Sequence, residues 1–216
     1  MALKNLINEN TFLIKIFLLY IYVLFIAVIA LPEGVEFILV NHIKGYYSDI
    51  FFRYATKLGE EYPYFLTVAY LWFFKKNIKR GFFIGFIGAV VTVVSYLAKQ
   101  FFLHPRPFVI LQQKGWLPFV QFVDDVVLNK GYQSLPSGHT LSAFTIFTYL
   151  SLCYGYKNKA FVAIAMLLAA LCGFSRVYLI QHFLSDVLLG SIMGFCLGIS
   201  IFLVENTYLK TNIQYK

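Results

Sequence analysis

The sequence predicts an all-α, polytopic membrane protein: a bundle of six transmembrane helices with an amphipathic segment lying along the outer interface. Three observations predict it. The 216 residues are 60% hydrophobic and 13% charged, with a mean hydropathy of +0.72, well outside the usual composition of a soluble domain. The apolar residues gather into six stretches near the length a bilayer requires, about 20 residues, or somewhat fewer where a helix ends in a polar cavity. The basic residues sit in short turns between those stretches, as topology signals do.

The first span runs from Phe12 to Leu31. It follows Lys4 and ends at Ala30 before Pro32, features shared with a secretory leader, but its apolar length suits a retained anchor. The next segment, Val35 to Leu58, mixes Phe37, Ile38, Ile43, Phe51 and Phe52 with Glu36, Lys44, Asp49 and Arg53. Two arrangements fit that amphipathic pattern: a segment lying along the outer interface, or an outward extension of the second span as one long helix. The remaining spans are Tyr62 to Phe74, Gly81 to Ala98, His139 to Tyr154, Ala160 to Phe174, and Phe183 to Val204. Gly81, Gly85 and Gly88 in the third, and Gly190, Gly194 and Gly198 in the sixth, follow small-residue spacings that let helices approach closely. Cys153, Cys172 and Cys196 each fall inside an apolar stretch and read as small core residues, not as a disulfide framework or a zinc site.

Sidedness follows from the turns. Ten bases (Lys4, Lys15, Lys75, Lys76, Lys79, Arg80, Lys157, Lys159, Lys210, Lys216) share the side of the termini with two acids, Glu9 and Glu205, while the other side carries eight of each. The positive-inside rule therefore makes the termini cytoplasmic and the opposite loops external. The net charge of +8 is a topology signal and not a nucleic-acid footprint. No linker or low-complexity tract divides the chain, so residues 1–216 read as a single domain.

Charges at a membrane edge are costly, and their placement is informative. Three groups stand out: Lys99 with Arg106-Pro107; Pro136-Ser137-Gly138-His139; and Ser175-Arg176 with His182 and Asp186. By the spans above, all fall at outward helix ends. Lys99, Arg106 and Arg176 put three positive charges at one edge with Asp186 as the nearby acid, and forked guanidiniums suit phosphate oxygens. Pro136-Ser137-Gly138 opens a helix, where backbone N–H groups favour an anion, although Pro and Ser also begin ordinary helices. His182 and Asp186 are one helical turn apart, so the carboxylate can hold one imidazole nitrogen and leave the other to attack. His139, from another helix, can then donate a proton to a leaving oxygen and take one from water.

In this order, KQFFLHPRP, PSGH and SRVYLIQHFLSD resemble the signature of the type 2 phosphatidic acid phosphatase (PAP2, or lipid phosphate phosphatase) superfamily, bacterial membrane branch. The resemblance runs from Lys99 to Asp186 and matches every motif position. It implies a lipid phosphatase in which His182 attacks phosphorus to form a phosphohistidine, Asp186 orients it and His139 protonates the leaving group. Lys99, Arg106, Ser137, Gly138 and Arg176 would hold the phosphoryl oxygens. The implied chemistry uses no metal ion and no cofactor. Many relatives carry arginine where this chain has His104, which reads as a loop residue first and a substrate contact second.

The implied partner is a lipid phosphate within the membrane: undecaprenyl diphosphate, phosphatidic acid, phosphatidylglycerophosphate or lipid A phosphate. The loop from Phe108 to Gln133, with Trp116, Phe119 and Phe122, is a candidate for headgroup selection, or for anchoring at the interface. A lipid-to-lipid phosphotransferase shares the motifs, as do vanadium haloperoxidases, which the six spans and small size disfavour. A small transporter would instead place charges at the midplane of several helices. Compact size and the absence of an N-x-S/T sequon suggest a bacterial cytoplasmic membrane, with the site facing the periplasm or exterior.

Overall fold

A computed structural model describes residues 9–155 and 158–208. Lys4, Lys157, Lys210 and Lys216 of the charge pattern lie outside them. Among the described residues every regular element is helical: α1 (Thr11–Ala30), α2 (Val35–Val40), α3 (Tyr46–Ala55), α4 (Tyr62–Phe73), α5 (Ile78–Phe102), α6 (Pro107–Gln113), α7 (Gly138–Tyr154), α8 (Lys159–Tyr178) and α9 (Leu184–Tyr208). The six predicted stretches coincide with α1, α4, α5, α7, α8 and α9. Side-chain caps set several starts: Asn77 accepts from the Arg80 N–H at 3.1 Å and Asn158 from Phe161 at 3.0 Å, satisfying donors that the first turn leaves over.

Four of the six are long and apolar enough to cross a membrane: α1, the run that opens with α5, α8 and α9. With 12 and 17 residues, α4 and α7 rise only about 18 and 26 Å, short of a hydrocarbon core about 30 Å thick. Length and composition therefore support four of the six expected crossings. Helix α7 is also unlike a lipid-facing span, being buried almost all round, from Thr140 to Tyr149 without a break. Its Thr and Ser hydroxyls turn back onto backbone carbonyls, as Thr145 does on Leu141 and Ser151 on Phe147.

Helices α7 and α9 run parallel, and the glycines of α9 explain how closely. A Cβ at Gly190 would lie 2.7 Å from the Ser137 carbonyl, at Gly194 2.4 Å from that of Leu141, and at Gly198 2.8 Å from that of Thr145. Three successive turns of α9 thus rest on the α7 backbone, the arrangement the small-residue spacing predicts. On the other side of α9, Phe17 of α1 stacks on Phe195 with ring centroids 3.7 Å apart, and the Tyr20 hydroxyl meets Ser191 Oγ. The α5 glycines divide. Gly81 lies under the Trp72 indole, but a Cβ at Gly85 would meet nothing within 4 Å, so Gly85 is not a packing contact. Cysteines divide too: Cys172 is buried, Cys153 half-buried and Cys196 exposed, so the reading of all three as core residues fails at Cys196, which lies on an outward face of α9.

The Val35–Leu58 segment is not one long helix. Lys44 is extended (ψ 144°) and separates α2 from α3, and Glu60 is extended (ψ −163°) beyond the tight turn Thr56–Gly59, separating α3 from α4. These short pieces cover the end of α8: Phe52 stacks on Tyr178, whose hydroxyl donates to Asp49 Oδ1 at 2.5 Å, and Phe37 packs on Phe183. The loop after α6 is tied onto them, with Arg53 paired to Asp125 at 3.2 Å and the Asn41 side chain bonded to Phe119 and Gln121. Trp116 packs on Gly34.

Candidate active site

The helix ends that carry the motifs meet at one end of the bundle. The Ser137 N–H donates to the Asp186 carbonyl at 3.0 Å, which joins the start of α7 to the start of α9. Ser137 also caps α7, its Oγ accepting from the Thr140 hydroxyl at 2.8 Å. A Cβ at Gly138 would come within 2.8 Å of Ser95 Oγ and 3.6 Å of Lys99 Nζ, so glycine here lets α5 bring its lysine against the start of α7.

Between α8 and α9 the chain turns abruptly. Ile180 adopts φ +56°, a left-handed conformation costly for a β-branched residue, by about 1–3 kcal/mol. The Arg176 carbonyl holds the turn closed, accepting from the N–H groups of Gln181 (2.9 Å) and His182 (3.2 Å). His182 is thereby presented inward, 2% exposed, beside Asp186 at 0%.

His182 Nδ1 lies 3.1 Å from Asp186 Oδ2, and the same oxygen accepts from the Phe183 N–H at 3.0 Å and from Ser134 Oγ at 2.5 Å. An acidic acceptor at Nδ1 fixes the tautomer with its lone pair on Nε2. Arg106 Nη1 sits 3.1 Å from that Nε2 and donates to the Gln181 carbonyl at 2.9 Å. Burial first, then the charges of Arg106, Arg176 and Lys99, hold the His182 imidazole well below the ordinary histidine range, which keeps it neutral. Arg106 and Arg176 are 6% and 8% exposed. Arg176 Nη1 donates to Thr56 Oγ1 at 2.6 Å, while among the described residues the Nε groups of both arginines have no acceptor. Each can therefore turn an N–H to an oxyanion without breaking an internal bond.

His139, at the start of α7, faces the same charges: Arg176, His182, Lys99 and Arg106 all act on it. With Lys99 and Gly138 it lines a cavity of about 640 Å³ that continues between α4 and α5 past Tyr96, Val91, Gly88 and Gly85 to Tyr64. Arg176 and Gln181 line a second cavity of about 600 Å³, which also holds Arg53, Lys57 and Asp125.

The structure thus gathers Lys99, Arg106, Ser137, Gly138, His139, Arg176, His182 and Asp186 at one end. His104 stands aside from them, paired with Glu33 at 3.4 Å and edge-on to Phe183. Reading by motif missed Ser134, Thr56, Glu60 and Gln181. Ser134 lies three residues before Ser137, and only the folded loop shows that it reaches Asp186. Gln181 acts through its carbonyl, so its identity carried no signal. Among the described residues, no group of three or more His, Cys, Asp or Glu side chains gathers as around a metal ion.

Fold and site together define a bundle of apolar helices with two imidazoles and three cationic side chains gathered at one end. The family model of the PAP2 superfamily matches residues 64–210, and the chain belongs to that superfamily. It is 26% identical over 141 residues to undecaprenyl-diphosphatase BcrC of Bacillus subtilis (64% of this chain, 66% of that protein). It is 29% identical over 142 residues to lipid A 4'-phosphatase of Porphyromonas gingivalis (62% of this chain, 56% of that protein). The aligned region is under two thirds of the length of either relative. The crystal structure of Aquifex aeolicus LpxE matches with a TM-score of 0.60 at 33% identity, over 77% of this chain and 92% of that one. A transmembrane PAP2 type phosphatidylglycerolphosphate phosphatase from Bacillus subtilis shares the fold, with a TM-score of 0.54 at 20% identity, over 93% and 97%.

Proposed function

We propose that residues 1–216 form a single-domain, metal-independent lipid phosphatase of the cytoplasmic membrane, acting through a phosphohistidine on His182. The observation that carries this reading is the His182 imidazole, bound to Asp186 through Nδ1 and facing Arg106 through Nε2. In the first step Nε2 forms a bond to phosphorus as the bond to the leaving oxygen breaks, and His139 gives that oxygen its proton. In the second, His139 takes a proton from water, whose oxygen bonds to phosphorus while the N–P bond breaks, releasing inorganic phosphate and restoring His182. Lys99, Arg106, Arg176 and the Ser137-Gly138 helix start hold the phosphoryl oxygens and the charge that spreads over them.

A lipid substrate is favoured by the larger cavity. Its Lys99–His139 end is polar, and from Lys99 to Gly85 it follows α5 for about 21 Å at 1.5 Å per residue, room for a hydrocarbon chain beside a headgroup. The relatives' names make undecaprenyl diphosphate, lipid A phosphate and phosphatidylglycerophosphate compounds to test, with phosphatidic acid, which the motif resemblance implies. We count α4 and α7 as crossings despite their length. Helix α4 reaches from Tyr64, bonded to the Ser142 carbonyl, to Trp72, bonded to that of Ile78, and α7 from Ser137, bonded to Asp186, to Tyr154, bonded to Arg80. That gives six spans, with the termini cytoplasmic and the site external.

Purified protein is expected to release phosphate from at least one of these lipids with chelator present, and quenched turnover to leave an alkali-stable, acid-labile phosphoenzyme. Activity abolished by chelator would remove metal independence, and turnover without such an intermediate would remove the covalent mechanism. The pH dependence has a definite sign. His182 is held below its ordinary value, so the nucleophile stays unprotonated well into acid. After correction for substrate ionisation, the acidic limb of kcat/KM, which reports the free enzyme, is expected below about pH 6.5. A His182-dependent limb at or above that value would contradict the geometry.

A further inference from the structure

The tight turn Thr56–Gly59 and the extended Glu60 after it lie far from the three motifs in sequence, yet they press on the site. We propose that this turn is a fourth part of the active site, in which Glu60 is the positioning residue for His139; the inference rests on the acid–base role given to His139 above.

Three contacts carry it. Glu60 Oε1 stands 3.5 Å from His139 Nε2, both side chains 32% exposed at the mouth of the α4–α5 cavity. Gly59 is seated directly on the same residue: a Cβ there would lie 2.4 Å from the His139 carbonyl oxygen, 2.7 Å from its Cβ and 2.8 Å from Cys172 Sγ. Thr56, 8% exposed, accepts from Arg176 Nη1 at 2.6 Å. The Cys172 thiol bridges the two sides, within 3.7 Å of both the Thr56 and the His139 carbonyls. One turn therefore fixes the backbone of the acid–base histidine, its ring nitrogen and one guanidinium of the phosphate site.

The chemistry mirrors the other imidazole. Asp186 holds Nδ1 of His182 and frees Nε2; Glu60 Oε1 stands within ion-pair distance of Nε2 of His139, which leaves Nδ1 for the leaving oxygen. Arg176, His182, Lys99 and Arg106 act on His139, and the carboxylate that stands beside its ring is Glu60. An acid must carry its proton until the leaving oxygen takes it, and a carboxylate beside the imidazolium favours that form.

The test is Glu60→Gln, with Glu60→Asp as the conservative control, both checked for an unchanged melting temperature. For a lipid phosphate, Glu60→Gln is expected to lower kcat by about 10–100-fold, part of what general acid catalysis supplies, with KM changed by less than about threefold. The alkaline limb of kcat should move to lower pH, because the imidazolium loses its countercharge. With p-nitrophenyl phosphate, whose phenolate leaves without a proton, the rate of phosphoenzyme formation should be largely spared. Glu60→Asp should recover part of the loss. Equal defects in phosphoenzyme formation on both substrates, or an unmoved alkaline limb, would overturn the inference, as would wild-type kinetics in Glu60→Gln. The underlying mechanism is judged separately by phosphoenzyme trapping in the wild type, so failure of one is distinguishable from failure of the other.

Discussion

Replacing His182 by glutamine is expected to lower kcat by about four to six orders of magnitude, the scale seen when a nucleophile or its partner base is removed from a covalent mechanism. Glutamine is close in size, and its amide can still bond to Asp186 and Arg106, so the buried pocket around residue 182, 2% exposed, stays filled and hydrogen-bonded. What it lacks is a ring nitrogen able to carry phosphate. Lipid binding and melting temperature should change little, while both phosphate release and the acid-labile phosphoenzyme disappear. Release within about tenfold of wild type would mean that another group attacks phosphorus, because the surviving cations alone account for a far smaller acceleration.

The second large effect is on assembly. At Gly194 even a Cβ would sit 2.4 Å from the Leu141 carbonyl and 2.8 Å from Phe144 Cβ, and neither atom belongs to a flexible tip. Gly194→Val must therefore push α9 off α7, at a cost of about 1–3 kcal/mol or more for overpacking. The variant should melt several degrees lower, at about 2–4 °C per kcal/mol for a chain of this size, or fail to yield monodisperse protein in detergent. Gly85→Ala is the matched control, since nothing lies within 4 Å of its added Cβ, and it should melt at or above wild type. If both variants behave alike, the close contact between α7 and α9 is wrong.

These two glycines also show what the sequence could and could not convey. Apolar run length located six helices to within a few residues, since a stretch such as Phe12 to Leu31 has no other stable use. Motif spacing located His182 with Asp186 and the cations that surround them, although His182 lies in the turn before α9 and meets Asp186 because that carboxylate folds back over the helix start. Small-residue spacing was ambiguous, because it records that a helix has a smooth face and not what lies against it. Gly194 meets a backbone, Gly85 opens onto a cavity, and Cys196 on the same helix faces outward. The breaks at Lys44 and Glu60 were hidden because an amphipathic pattern persists across them. Ser134, Thr56 and Glu60 were invisible for a different reason. Each reaches the site through a contact that depends on where another segment folds, Thr56 on Arg176 across 120 positions, and no local pattern encodes such a meeting.

The opposite end of the bundle is held by a second polar cluster. There Arg80 pairs with Glu205 at 3.2 Å, reaches the hydroxyls of Tyr149 and Tyr154 and meets Cys153 Sγ at 2.8 Å, while Tyr149 donates to Glu205 at 2.5 Å. That knot joins the start of α5 to the ends of α7 and α9. Tying the far ends of three helices together braces the spacing of their near ends, where Lys99, His139 and Asp186 stand.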